Sequence, residues 1–148
     1  MSKFKVRQPI VHLPSFKEYM IYNAELAAKY KELGVEIPFT WSDTWYYHTD
    51  REGLMKVISY LVFKSSLYKA ERFDCEDYAM KAQVVSAEVL GLNATRYTYG
   101  DMPLGAHGFN THWVGDGFLI FEPNAGFQYD SPVFEWGENG YQPKAVLL

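Results

Sequence analysis

The chain has 148 residues, of which 48% are hydrophobic, 18% aromatic and 22% charged, with a formal charge of −4 and a pI near 5.5. That length suits one domain whose core needs neither disulfides nor metals, and the balance of apolar and charged residues excludes disorder and a broad basic face for nucleic acid. A single cysteine, Cys75, excludes an internal disulfide and with it a stapled secreted scaffold.

No apolar run approaches the roughly 20 residues of a membrane span. The opening stretch MSKFKVRQPIVHLPS is too polar and too interrupted by proline for a signal peptide. The expected setting is therefore cytoplasmic, or that of a virion-associated or host-injected protein. The basic residues Lys3, Lys5 and Arg7 are expected to decorate an exposed terminus.

In chain order, residues 1–14 read as an extended lead-in ending at Pro14. Ser15 with Glu18 three positions on forms a capping-box pattern. The apolar spacing of Phe16, Tyr19, Met20, Leu26, Tyr30 and Leu33 predicts a helix over 16–33, stopped by Gly34. The aromatic, proline-containing stretch 35–50 predicts a loop or a short strand. Asp50 is placed to cap a second helix, 51–64, burying Leu54, Val57, Ile58, Leu61 and Val62. Asp74 is the best cap for a third, 75–90, with Ala79, Ala82, Val85 and Val89 along one side and Gly91 at its end. After Gly91 the period changes to two: NATRYTYGD predicts a strand and FNTHWVGDGFLIFEP a hairpin, with short strands near 127–130 and 143–148. Helices followed by strands give an α+β class.

Cys75 falls at the first position of the third helix, where unpaired N–H groups favour a thiolate. Glu76 and Asp77 beside it oppose one, so a nearby imidazolium has to do most of the activation. An isolated intracellular cysteine is most often only a small buried hydrophobe.

His107 and His112 are the candidate bases, and His12 and His48 read as ordinary surface or structural residues. Asp116-Gly117 predicts a two-residue hairpin loop that pairs Gly115 with Phe118, which sets Glu122 opposite Thr111. Side chains alternate faces, so Glu122 then shares its face with His107 and not with His112. A three-residue loop reverses that choice. The resulting unit is Cys75 as nucleophile, His107 as base and Glu122 as the carboxylate that orients the imidazole. Zinc held by Cys75, His107 and His112 is an alternative without close ligand spacing in its favour.

The stretch Arg72-Phe73-Asp74-Cys75-Glu76-Asp77-Tyr78-Ala79 resembles the nucleophile motif of the papain-like superfamily. It is most similar to that of bacterial transglutaminase-like cysteine peptidases and of the protease domain attached to certain fungal agglutinins. Ala106-His107-Gly108-Phe109-Asn110 is similar to their histidine motif, and Phe121-Glu122-Pro123-Asn124 to their Glu-Pro segment. Gly108 departs from the alanine more common there. The resemblance covers about 41–124.

It implies one papain-like domain over 1–148, with an N-terminal helical part at 1–40 and a catalytic core at 41–148, the Cys-bearing helix packing on a small antiparallel sheet. It also implies hydrolysis or acyl transfer at an amide through a thioester, on a protein or peptide substrate. The oxyanion donors would be the Cys75 N–H and a side chain such as Trp41, Ser42 or Trp45. No cofactor is expected, apart from a calcium dependence compatible with Asp74, Glu76 and Asp77. No nucleic-acid or membrane partner is expected, and the sequence leaves the oligomeric state open.

Two functions compete. One is a cysteine peptidase or related amide acyl-transferase. The other is a catalytically silent papain-like binding module, phage- or toxin-associated, drawing on the aromatic loops.

Overall fold

The computed structural model describes residues 12–39, 42–127 and 129–148. Lys3, Lys5, Arg7 and Trp41 lie outside the described residues. Among those described, a five-stranded antiparallel sheet carries the architecture.

The helix expected over 16–33 divides into a strand, β1 (Tyr19–Tyr22), and a ten-residue helix, α1 (Asn23–Glu32). The reason is tertiary. Tyr-Met-Ile-Tyr is a β-prone run, and β2 (Trp45–His48) is available to pair with it antiparallel, from Tyr19↔His48 to Tyr22↔Trp45. The Ser15 capping box therefore caps nothing, and α1 follows Tyr22, which makes no side-chain cap. Gly34, at a φ of 76°, supplies the left-handed turn that ends α1.

Asp50 caps α2 (Arg51–Val57) by accepting from the Gly53 N–H at 2.8 Å. The helix is shorter than the expected 51–64. It tightens into a 3-10 turn at Ile58–Tyr60, and the Phe63 N–H then bonds the Pro123 carbonyl at 2.8 Å, drawing the chain out of helical conformation. Leu54, Val57, Ile58 and Leu61 are all buried.

The third helix, α3 (Cys75–Val85), runs on through a π-helical turn at Ser86–Leu90 and ends at Gly91, φ 70°. Asp77 turns back to accept from the Asp74 N–H at 3.2 Å, tying down the first turn.

The sheet comprises β3 (Thr95–Met102), β4 (Gly105–Trp113), β5 (Phe118–Phe121), β6 (Val133–Glu135) and β7 (Gln142–Val146), ordered β6-β5-β4-β3-β7. The expected strand near 127–130 is not formed; the strand lies at Val133–Glu135 instead.

One face of the sheet lies under α2 and α3, where Leu119, Phe121 and Val133 join Leu54, Leu61 and Ala82. The Asn110 side chain there donates to the Ala79 carbonyl at 2.9 Å. The other face carries α1, whose Tyr30 hydroxyl lies 2.7 Å from Thr111 Oγ1 and whose ring stacks on Phe118. It also carries an aromatic cluster around Phe109, Phe134 and Tyr141.

The expected papain-like or transglutaminase-like class, with N-terminal helices and the Cys-bearing helix on a small antiparallel sheet, is corrected among the described residues. Strand pairing between 19–22 and 45–48 overrides local helical spacing, and short helices lie on a dominant sheet. No helix among the described residues is long and apolar enough to cross a membrane.

Candidate functional site

The β4–β5 hairpin closes through Val114–Gly117, with the Val114 N–H bonded to the Gly117 carbonyl at 2.9 Å. Its register pairs Trp113 with Phe118 and Asn110 with Phe121. That is two residues off the pairing expected from an Asp116-Gly117 loop. A shift of two keeps every side chain on its face, so Glu122 still emerges on the side of His107.

The β4–β5 pairing ends at Asn110, leaving Gly105–Phe109 with β3 on one side only. At this open edge the chain leaves β5 and places Glu122 against His107. Nε2 of His107 and Oε2 of Glu122 are 2.6 Å apart, and both side chains are almost fully buried.

Gly108 explains how Cys75 arrives at the same edge. A Cβ there would lie 3.1 Å from Cα of Glu76, 3.2 Å from its backbone N and 2.9 Å from the Tyr97 ring. Without one, the first turn of α3 rests directly on β4. The Cys75 thiol is half-buried, and its interaction with the imidazole is among the causes that raise the His107 pKa. With Nε2 committed to Glu122, Nδ1 is the ring nitrogen left for the thiol.

Burial alone would push the His107 pKa down. The hydrogen bonds to Cys75 and Glu122, together with their charges, overcome that and raise it to about 9. The Cys75 Sγ also lies 3.3 Å from Glu76 Oε2. Asp74 and Glu76 hydrogen-bond to each other, which raises the Asp74 pKa and lowers that of Glu76.

His112 belongs elsewhere. It lies on the α3 face, with Nδ1 2.8 Å from Thr95 Oγ1, while Nε2 accepts from the Thr49 N–H at 3.2 Å. The ring is therefore neutral, protonated at Nδ1. Complete burial, with a small contribution from the charge of His48, pushes its pKa down to about 3. The zinc set of Cys75, His107 and His112 is not assembled.

Ser42 and Trp45, expected as oxyanion donors, are also remote. Asp43 and Trp45 are tied to the Asn93 side chain, beyond the C-terminal end of α3. A helix from Cys75 to Leu90 is about 24 Å long, and Cys75 is at its other end. Ligand atoms of Asp74, Cys75 and Glu76 lie within 4.8 Å of one another. A thiol and two carboxylates supply fewer oxygens than the six to eight calcium takes.

The structure adds residues that the sequence reading missed. The Tyr141 hydroxyl donates to Glu122 Oε2 at 2.8 Å, and the Asn124 N–H donates to Oε1 at 3.2 Å. Phe127 packs on the His107 ring with centroids 5.0 Å apart. Asn124 Oδ1 accepts from the Gly126 N–H at 2.8 Å, a turn that Asn-x-Gly could have signalled. Nothing in the sequence ties Tyr141, 19 residues downstream, to Glu122. A cleft of about 290 Å³ opens beside the centre, lined by Val62, Glu122, Asn124, Ala125, Phe127, Tyr129 and Pro132.

No family model and no curated protein matches the chain. Solved structures do, among them the following two. One, described as "PSL1a-E64 complex", superposes with a TM-score of 0.64 at 18% identity, covering 87% of this chain and 51% of its own. The other is Polyporus squamosus lectin bound to the human-type influenza-binding epitope Neu5Aca2-6Galb1-4GlcNAc, with a TM-score of 0.60 at 19% identity, covering 87% and 49%. The chain thus spans about half the length of the structures it matches, and at this identity the likeness is one of fold.

These matches overturn the expected assignment to papain-like cysteine peptidases, because the fold is shared with structures of which one is described as a lectin. The expectation of a thiol protease or transglutaminase-like hydrolase with a catalytic triad is corrected with it.

Proposed function

We propose that the chain is a binding module that takes its ligand in the cleft beside Cys75, His107 and Glu122. The observation that carries this reading is the cleft itself. Its volume of about 290 Å³ is at the lower end for small-molecule sites. Its wall sets the aromatic side chains of Phe127 and Tyr129 beside the amide of Asn124. Both Glu122 oxygens already accept hydrogen bonds, Asn124 Oδ1 accepts from the Gly126 N–H, and the Tyr129 hydroxyl lies 3.0 Å from that of Tyr141, so the Asn124 side-chain N–H groups and the remaining bonding capacity of the Tyr129 hydroxyl are left to meet a ligand.

Aromatic faces next to amide and hydroxyl edges suit a sugar ring, which has apolar C–H faces and a polar rim. A glycan is accordingly the ligand class to test first, and the second matched structure was solved with Neu5Aca2-6Galb1-4GlcNAc. Titration of that trisaccharide and its desialylated form into the protein is expected to give saturable binding, weakened at least about tenfold in Phe127→Ala and Asn124→Ala, a loss of about 1.4 kcal/mol. No saturable binding to either would overturn a glycan ligand.

A second reading rests on the position of His107 between a thiol and a buried carboxylate. We infer that Cys75, His107 and Glu122 form a reactive-thiol unit, with Cys75 as nucleophile, His107 as holder of the thiol proton and Glu122 as the orienting carboxylate. Iodoacetamide is expected to label Cys75 near pH 7 about tenfold faster than free cysteine, with the excess lost in His107→Ala and kept in His112→Asn. Labelling at the rate of free cysteine would sink this reading. Glycan titration of Cys75→Ala separates the two roles: unchanged affinity means that the thiol takes no part in binding.

A further inference from the structure

We propose that Tyr141 is a positioning residue of this site: its hydroxyl holds the Glu122 carboxylate against His107 and so sets how firmly the imidazole keeps its proton. The proposal rests on the reactive-thiol reading of Cys75, His107 and Glu122.

Two donors converge on one carboxylate oxygen. Oε2 of Glu122 is 2.6 Å from His107 Nε2 and 2.8 Å from the Tyr141 hydroxyl. Tyr141 is 1% exposed and Glu122 2%, so both contacts are shielded from bulk solvent. The Tyr141 ring is fixed on the same side, packing edge-on against His107, Phe109 and Phe134. Its hydroxyl also lies 3.0 Å from that of Tyr129, which lines the cleft. A chain of polar contacts therefore runs from the cleft wall through Tyr129, Tyr141 and Glu122 to His107.

Burial, chiefly, and the Glu122 charge push the Tyr141 hydroxyl far above its ordinary pKa. It stays protonated at any working pH and always donates. Donation spreads the negative charge of Oε2 over two partners. Removing it concentrates that charge on the imidazole N–H, which binds its proton more firmly.

The test is the His107 titration, followed by NMR, together with the pH profile of Cys75 labelling by iodoacetamide, in the wild type, Tyr141→Phe and Tyr129→Phe. Tyr141→Phe is expected to raise the apparent His107 pKa by about half a unit or more and to move the labelling profile with it. Tyr129→Phe, one step further away, is expected to shift both by less and in the same direction. It also serves as the informative variant should Tyr141→Phe fail to fold. An unchanged or lowered His107 pKa in a folded variant overturns the role of Tyr141. A wild-type Cys75 that labels like free cysteine overturns the underlying reading instead, so the two failures are distinguishable.

Discussion

His107 and His112 sit five residues apart on one strand and differ in almost every physical respect. An odd spacing on a strand puts them on opposite faces. His107 emerges at the open edge, between the carboxylate of Glu122 and the thiol of Cys75, and holds its proton to about pH 9. His112 emerges under α3, between hydroxyl and amide groups that offer no charge, and stays neutral down to about pH 3. Both are buried, so burial does not distinguish them. The charge of the available partner does. The same side chain is an ion-pair member on one face and a structural hydrogen-bonding group on the other.

The contrast has its largest expected consequence in acid. The folded-state pKa of His112 lies below its unfolded value of about 6.5, so the stability it provides is complete above pH 6.5 and is lost as pH falls toward 3. Each pH unit in that window costs up to about 1.4 kcal/mol. Urea unfolding at stepped pH is expected to show this decline, with a shallower slope in His112→Asn. An identical slope in that variant would mean that other groups carry the acid sensitivity.

The alkaline limb has the opposite sign. The folded-state pKa of His107 lies above its unfolded value, so its contribution is complete below pH 6.5 and lost as pH rises through about 9. The expected loss is on the order of 3 kcal/mol, and replacing His107 by Gln should flatten it. A variant whose stability still falls by as much between pH 6.5 and 9.5 would break the comparison.

The smallest effect sharpens it sterically. Gly108→Ala puts a Cβ into the Glu76 backbone and the Tyr97 ring, which is expected to cost about 1–3 kcal/mol in unfolding free energy. It should also push the start of α3 off β4. Cys75 labelling is then expected to lose its dependence on His107, while the His112 resonances stay in place. A Gly108→Ala protein with wild-type labelling and stability would show that β4 does not need this close approach.

Much of the site could be read along the chain. Asp74, Cys75 and Gly91 mark the two ends of α3 because capping and a left-handed stop are local chemistry. The alternation of β4 and β5 places Glu122 on the side of His107 whichever even register the loop selects, since a two-residue shift leaves faces unchanged. Asp50 likewise announces α2 through its own side chain.

Other features depend on partners distant in sequence. Tyr19–Tyr22 has helical spacing and a β-prone composition at once, and only the presence of Trp45–His48 beside it decides for a strand. Phe63 leaves its helix because Pro123 offers a carbonyl 60 residues later. Tyr141 reaches Glu122 through the return of the chain to the far edge of the sheet, and no local pattern encodes that return. The family reading failed for a related reason. A short motif around Cys75 fixes a helix start and a constellation of side chains, but the likeness that overturned it is one of fold over 87% of the chain. Sequence by itself determined where Cys75, His107 and Glu122 stand on their own elements. Tertiary structure alone decided that they meet at the unpaired edge of β4, and that His112 does not join them, because only there does a carboxylate lie within reach of an imidazole that water cannot solvate.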